Sequence, residues 1–277
     1  MTQGAEPTGP PADRVLLERH VVGEGVVAVV TLNDPERRNL MSLGMVEGIV
    51  AAFDEVERDE AVGAVVLAGA GPGFCAGADL GGLAGVSQSG SSAGDRSAAG
   101  LEAIYEGFMR VARCPLLTVA AVNGPAIGAG MNLALACDIR LVGERARFEC
   151  RFGELGLHPG GGHTYLLARL VGPETAAAML LCNEALRGAE LVERHLAWRF
   201  VADEELLSES VALAGRAAGV PRLLSLRMKE TLRAAGGHDS HEAALRRELE
   251  AQLWSLQQPF FKERLAALKS RLSGRRA

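Results

Sequence analysis

The chain has 277 residues, 48% of them apolar and 23% charged, with a formal net charge of −5. That length can bury a substantial core, as one large α/β domain or a core with a smaller appendage, and the composition is that of a soluble globular protein. The acidic balance argues against nucleic acid or an anionic membrane as a partner, and five scattered cysteines, never in a CxxC pair, give no disulfide framework or metal motif.

Residues 1–13 carry no basic-then-apolar signal and are expected to form a frayed tail. No apolar run is long enough to span a bilayer, so a cytoplasmic location with no membrane partner is expected. VLLERHVV and VVAVVTL flank Gly23-Glu24-Gly25 and read as two strands joined by a tight turn. From Leu43 to Val56 apolar residues recur at helical spacing, with Ser42 placed to cap the helix. GAVVLAGA and PLLTVAAV (115–122) read as buried strands, and the Gly/Ser/Ala stretch 81–100 between them as a loop.

GPAIGAGMNLALAC passes from a Gly-rich loop into an Ala/Leu-rich helix, and CDIRLVG and ARFEC read as further strands. Strands alternate with helices to about residue 200, the mark of an α/β core. From Asp203 onward only helical patterns remain, which divides the chain into a tail (1–13), a core (14–202) and a helical C-terminal region (203–277).

Two loops share one design: FCAGADL (74–80) and AIGAGMNL (126–133) each follow an apolar strand and run through small residues. Small residues let a ligand approach main-chain N–H groups, and a following helix leaves its first N–H groups free and adds partial positive charge.

LNDPERRNLMS, GAVVLAGAGPGFCAGADL, AAVNGPAIGAGMNLALACDIRL and FGELGLHPGGG together resemble the enoyl-CoA hydratase/isomerase (crotonase) superfamily, over roughly residues 14–275. The resemblance implies an α/β fold, a spiral of ββα units with a helical C-terminal trimerisation region. It implies a homotrimer or a dimer of trimers, and an acyl-CoA substrate with no prosthetic group and no metal. It places the N–H groups of Ala78 and Ala129 on the thioester oxygen and backbone groups of Ala76, Ala78 and Leu80 around the adenine. Arg37 and Arg38 fall where members of the family contact CoA.

The chain also departs from that pattern. Hydratases of the family use two carboxylates, and the matching positions here are Asn132 and Phe152. An amide orients water but carries no proton at neutral pH, and phenylalanine transfers none. The acid that some isomerases take from the next turn is matched by Gly160. Glu154, two residues past Phe152, would point to the same side in extended chain and is the first candidate for a displaced base. His158 and His163 bracket the Gly-rich turn, and either is a candidate base because histidine is the side chain that switches charge near neutral pH, but a histidine that only hydrogen-bonds loop backbone is the favoured reading. Glu149 faces either the pocket or solvent. Cys75 reads as a buried small hydrophobe and Asp79 as a brace for its own turn. Isomerisation, decarboxylation, hydrolysis or C–C cleavage therefore stand beside hydration, and a non-catalytic acyl-CoA sensor or scaffold is the alternative.

Overall fold

The computed structural model describes residues 14–79, 93–235, 237 and 240–274. It contains two compact units, Met1–Gly219 and Val220–Ala277. In chain order the first holds β1 (Val15–Val22), β2 (Gly25–Leu32), a 3-10 turn at Pro35–Arg37, α1 (Leu43–Arg58), β3 (Val62–Gly69), α2 (Ala93–Arg113), β4 (Leu117–Val122) and β5 (Pro125–Ile127). It continues with α3 (Ala129–Ala136), β6 (Ile139–Val142), β7 (Arg147–Glu149), α4 (His163–Leu181), β8 (Leu186–Arg187), α5 (Glu190–Glu193), β9 (Arg199–Phe200) and α6 (Leu206–Ala218).

β1 and β2 form the predicted hairpin, paired from Val15 with Leu32 to Val22 with Gly25. β2 then starts a parallel run, giving a six-stranded sheet in the order β1-β2-β3-β4-β6-β9. A small second sheet joins β5, β7 and β8. Parallel strands are covered on both faces, and β3 is continuously apolar for that reason, with Val62 through Leu67 buried.

On one face Val27, Val29, Ala64, Val66, Val119, Ala121 and Leu141 pack under Leu206 and Ala214 of α6. The alternate residues Ala28, Val30, Val65 and Leu67 are fully buried toward the other face. There α1 packs on β1 to β3 and α2 packs on α1. Ser42 caps α1 as its position suggested, its hydroxyl accepting from Met45 N at 3.3 Å.

Two expectations are corrected. The Gly/Ser/Ala stretch was expected to be loop to residue 100, yet Ala93–Gly100 belong to α2. Ile104, Phe108 and Val111 make a buried stripe at helical spacing, and the alanines before it let the helix run on toward its N-terminus. The boundary between the units falls after Gly219 rather than at residue 202, because α6 is a layer of the core. The tail 1–13, the loop 80–92 and residues 275–277 lie outside the described residues.

The second unit holds α7 (Arg222–Ala235), α8 (His241–Leu256) and α9 (Pro259–Gly274). Arg227 lies 4.1 Å over the Trp254 ring and Arg247 pairs with Glu230 at 2.8 Å, which ties α7 to α8. Leu245, Leu249, Leu253 and Leu256 form an exposed row on α8, and Phe261, Leu265, Leu268 and Leu272 another on α9. Among the described residues no helix is long and apolar enough to cross a membrane.

The last turn of α6 touches the sheet backbone: a β-carbon on Gly63 would stand 2.6 Å from Ala218 Cα. Gly63→Ala is expected to lower unfolding stability by about 1–3 kcal/mol through overpacking, seen as a reduced urea midpoint at unchanged slope. An unchanged midpoint would mean that this contact is not tight in solution.

Candidate functional site

The first loop is held from two sides. On one, Cys75 N donates to Pro125 O and Cys75 O accepts from Ile127 N, both at 3.0 Å, so the segment runs as an extra strand beside β5. On the other, Ala76 N donates to Arg38 O at 3.0 Å, while Met41 donates to Gly77 O at 2.9 Å and accepts from Asp79 N at 3.3 Å. A parallel bridge of this kind directs the N–H of the middle residue, Ala78, away from Met41. Asn39, fully buried, fastens the same region: its amide donates to the carbonyls of Ala70, Gly73 and Phe74 and accepts from Asp34 N.

The second loop lies directly on the first. A β-carbon on Gly130 would stand 2.1 Å from the Cys75 carbonyl oxygen, so no other residue fits there. A β-carbon on Gly77, whose φ is +102°, would stand 2.9 Å from Ile127 O and 3.9 Å from Ala129 N. Ala129 opens α3, where the first N–H groups have no acceptor within the helix. Gly128, at φ +52°, donates its own N–H to Glu149 O at 2.9 Å. The structure thus brings Gly77 of the first loop beside Ile127 and Ala129 of the second.

The charged candidates divide. Arg37 donates to Asp79 and lies 4.0 Å from Asp34, so it braces the first loop. Arg38 is exposed and makes no ion pair among the described residues. Leu80 lies outside the described residues.

Asn132 is buried at the end of the first turn of α3. Its amide nitrogen donates to Gly160 O at 3.0 Å, which leaves its oxygen to accept from His163 Nδ1 at 2.6 Å. With the proton on Nδ1, Nε2 is an acceptor and lies 3.2 Å from the Cys150 sulfur. The result is a directed chain, Cys150 S–H to His163 to Asn132 to the Gly160 carbonyl. The Phe152 ring stands edge-on to His163 at 5.0 Å and reaches to 3.9 Å from a β-carbon built on Gly128. All three polar members are essentially without solvent contact.

Burial alone pushes the His163 pKa down to about 4. Burial, and then the charge of Glu149, pushes the Cys150 thiol up to about 12, and burial takes Cys75 to about 12 as well. The chain is neutral at pH 7, imidazole beside thiol.

The expected position of Glu154 is corrected. Residues 152–156 are a run of turns closed by Leu157 N to Phe152 O at 2.9 Å, so the extended-chain premise fails. Glu154 is half-exposed and lies 3.7 Å from Arg151. His158 is also exposed, bonded to Pro159 O. Glu149 does not face solvent: it is buried between Arg147 and Arg151 at 2.7 and 2.9 Å. Among the described residues no three His, Cys, Asp or Glu side chains group as metal ligands would. The Cys150–His163–Asn132 chain was missed because no spacing rule links residues 13 and 31 positions apart; the one available signal was a histidine directly after the glycine turn.

The model of the family described as enoyl-CoA hydratase/isomerase matches residues 23–269. "Probable enoyl-CoA hydratase EchA14" of Mycobacterium tuberculosis is 46% identical over 250 residues, 88% of this chain and 94% of that protein. The 1,2-epoxyphenylacetyl-CoA isomerase of Escherichia coli is 35% identical over 198 residues, 70% of this chain and 74% of that one. A solved structure from Thermobifida fusca, described as a candidate enoyl-CoA hydratase in complex with acetoacetyl-CoA, superposes with a TM-score of 0.76 at 34% identity, covering 89% of this chain and 96% of that one.

The buried imidazole gives a pH prediction. Its pKa near 4 lies below the ordinary 6.5, so the unfolded chain takes up a proton first as pH falls. Its contribution is whole above pH 6.5 and is lost between 6.5 and 4. Through this group wild type is expected to lose about 2 kcal/mol of stability between pH 7 and pH 5, an increment absent from His163→Gln. Urea unfolding of both proteins at the two pH values measures it, and equal losses would show that the imidazole is not held neutral.

Proposed function

Because the chain belongs to the enoyl-CoA hydratase/isomerase family, we propose that it binds an acyl-CoA thioester with the carbonyl oxygen between the N–H groups of Ala78 and Ala129. The anion that forms when the acyl α-carbon loses a proton or a carboxyl group is stabilised there. The observation that supports this reading is the close approach of the two loops, where a β-carbon on Gly77 would lie 3.9 Å from the Ala129 nitrogen while the Met41 bridge leaves the Ala78 N–H turned outward. Donors fixed in advance pay no reorganisation as charge develops, and one of them contributes about 3 kcal/mol to the transition state.

Coenzyme A enters as part of the substrate. The Ala76 N–H is committed to Arg38 O, so its carbonyl, with the backbone of Ala78, is what remains for the adenine, while Leu80 lies outside the described residues. Arg38 is the arginine available to the CoA phosphates, while Arg37 holds the loop through Asp79.

The chemistry that fits best moves one proton, as double-bond isomerisation does. Hydration needs one group to activate water and another to deliver a proton, and the Asn132 amide and Phe152 ring supply neither. Decarboxylation of a malonyl-type thioester needs only the anion site. The E. coli relative named 1,2-epoxyphenylacetyl-CoA isomerase accords with chemistry other than hydration in this family. A cytoplasmic location accords with CoA thioester chemistry and with cysteines that form no disulfide among the described residues.

The exposed rows on α8 and α9 support assembly through the second unit, as a homotrimer or a dimer of trimers. Leu249→Glu combined with Leu253→Glu is expected to convert the assembly to monomer in sedimentation velocity; a wild-type monomer would remove this part of the reading.

The direct test is turnover of crotonyl-, 3-enoyl- and malonyl-type CoA thioesters by wild type and Ala129→Pro. Proline is favoured at the first residue of a helix, so this change deletes one donor and leaves α3 in place. Turnover is expected to fall about 100-fold at intact far-UV circular dichroism. Undiminished turnover would sink the assignment, and saturable binding with no turnover of any thioester would instead favour a non-catalytic acyl-CoA binder.

A further inference from the structure

Both positions where the family's hydratases carry acids are neutral, yet the space beside them is filled by a titratable side chain from a third element. His163 is the first residue of α4, delivered inward by the left-handed Gly161 and Gly162 at φ +66° and +77°. Its ring touches Asn132 from α3 and Cys150 from the end of β7, and Phe152 stands edge-on to it. Asn132 lies three residues after Ala129, on the same side of α3. The Phe152 ring reaches from His163 to within 3.9 Å of where a β-carbon on Gly128, the residue before Ala129, would stand. The imidazole is thus separated from the donor pair by one aromatic ring and one helical turn.

We propose that His163 Nε2 is the proton-transfer group of this site, that Asn132 positions it by fixing the Nδ1–H tautomer, and that the Cys150 thiol occupies Nε2 until a substrate arrives. The assignment rests on the reading of Ala78 and Ala129 as the thioester oxygen site. A thiol is a weak hydrogen-bond donor, so Nε2 is freed when the Cys150 rotor turns aside. Nε2 then accepts a proton from the acyl α-carbon, and the C–H electron pair becomes the enolate, its charge on the oxygen between the two N–H groups. Return of that proton to the γ-carbon shifts a double bond; return to the α-carbon restores the substrate. No oxidant, reductant or second substrate is needed, and the transient imidazolium keeps its Nδ1–H bond to Asn132.

The groups that face His163 decide its pH behaviour. Asn132 from α3 and Phe152 from the following turn do not titrate, and Cys150 is held as a neutral thiol. Glu149 is taken up by Arg147 and Arg151. Only burial acts on the imidazole, so it is a neutral base throughout the physiological range.

The test is α-proton exchange of butyryl-CoA in D2O, followed by mass spectrometry, on the full chain. Wild type is expected to incorporate deuterium, and His163→Gln to lose about 100-fold in exchange rate while its Kd for butyryl-CoA stays within about threefold. Asn132→Asp provides a second measurement that does not depend on a viable His163 variant. A carboxylate on Nδ1–H raises the imidazole pKa, so the acid limb of the exchange profile is expected to move up by about one unit or more. In Asn132→Asp combined with His163→Gln that raised limb is expected to vanish, whereas a limb carried by the new carboxylate itself would persist and count against the assignment. Exchange in His163→Gln equal to wild type, an unmoved limb in Asn132→Asp, or wild type that binds without exchanging would each overturn the His163 assignment alone. Failure of wild type to bind butyryl-CoA would overturn the thioester-site reading itself, and this assignment with it.

Discussion

The arrangement depends on one contact, the first turn of α3 resting on the carbonyl of Cys75. There is no room for a β-carbon at Gly130, so two loops from separate strand–helix units meet backbone to backbone. The same economy recurs around it: a β-carbon on Gly124 would lie 2.2 Å from Pro72 O, and one on Gly69 2.6 Å from Phe74 O. These glycines are needed for close approach, and the loops they build are stiff. Asn39 adds to the stiffness by spanning three carbonyls from inside the core. A rigid pair of N–H donors is what stabilisation of a developing anion requires, since donors that must first move offset their own gain.

The interior of the site carries dipoles in place of ions. The charged residues of the region are paired at its edge, Arg37 with Asp79 and Glu149 with two arginines, while Asn132, His163 and Cys150 form a dry and neutral row. In the proposed reaction the negative charge therefore meets backbone N–H groups and one imidazole that becomes cationic only as the proton transfers. Two carboxylates near the same point would oppose a growing anion and would need water to act on. Their replacement fits chemistry that shifts a proton within the substrate better than chemistry that adds water to it.

The hairpin, the capped α1, the buried β3 and the alternation of strands with helices were legible in the residues, because period and burial are local properties of the chain. The beginning of α2 was less so. Glycine and serine between residues 81 and 100 outweighed the alanines, and the buried stripe of Ile104, Phe108 and Val111 that carries the helix lies beyond that stretch. The place of α6 was hidden for a related reason. Its pattern is that of the helices after it, and only its packing on the sheet assigns it to the first unit.

The sequence alone determined the α/β alternation, the two small-residue loops, and the loss of acids at Asn132 and Phe152, since residue identity settles what can bond or titrate. Where the side chains point was decided only by the folded chain. Glu154 lost its place when Leu157 N closed a turn onto Phe152 O, and His163 gained one when two left-handed glycines turned it inward. Cys150, His163 and Asn132 come from three elements, and nothing between neighbours in the chain records that they meet. Side-chain direction follows backbone dihedrals, and those dihedrals are fixed by contacts with distant parts of the chain.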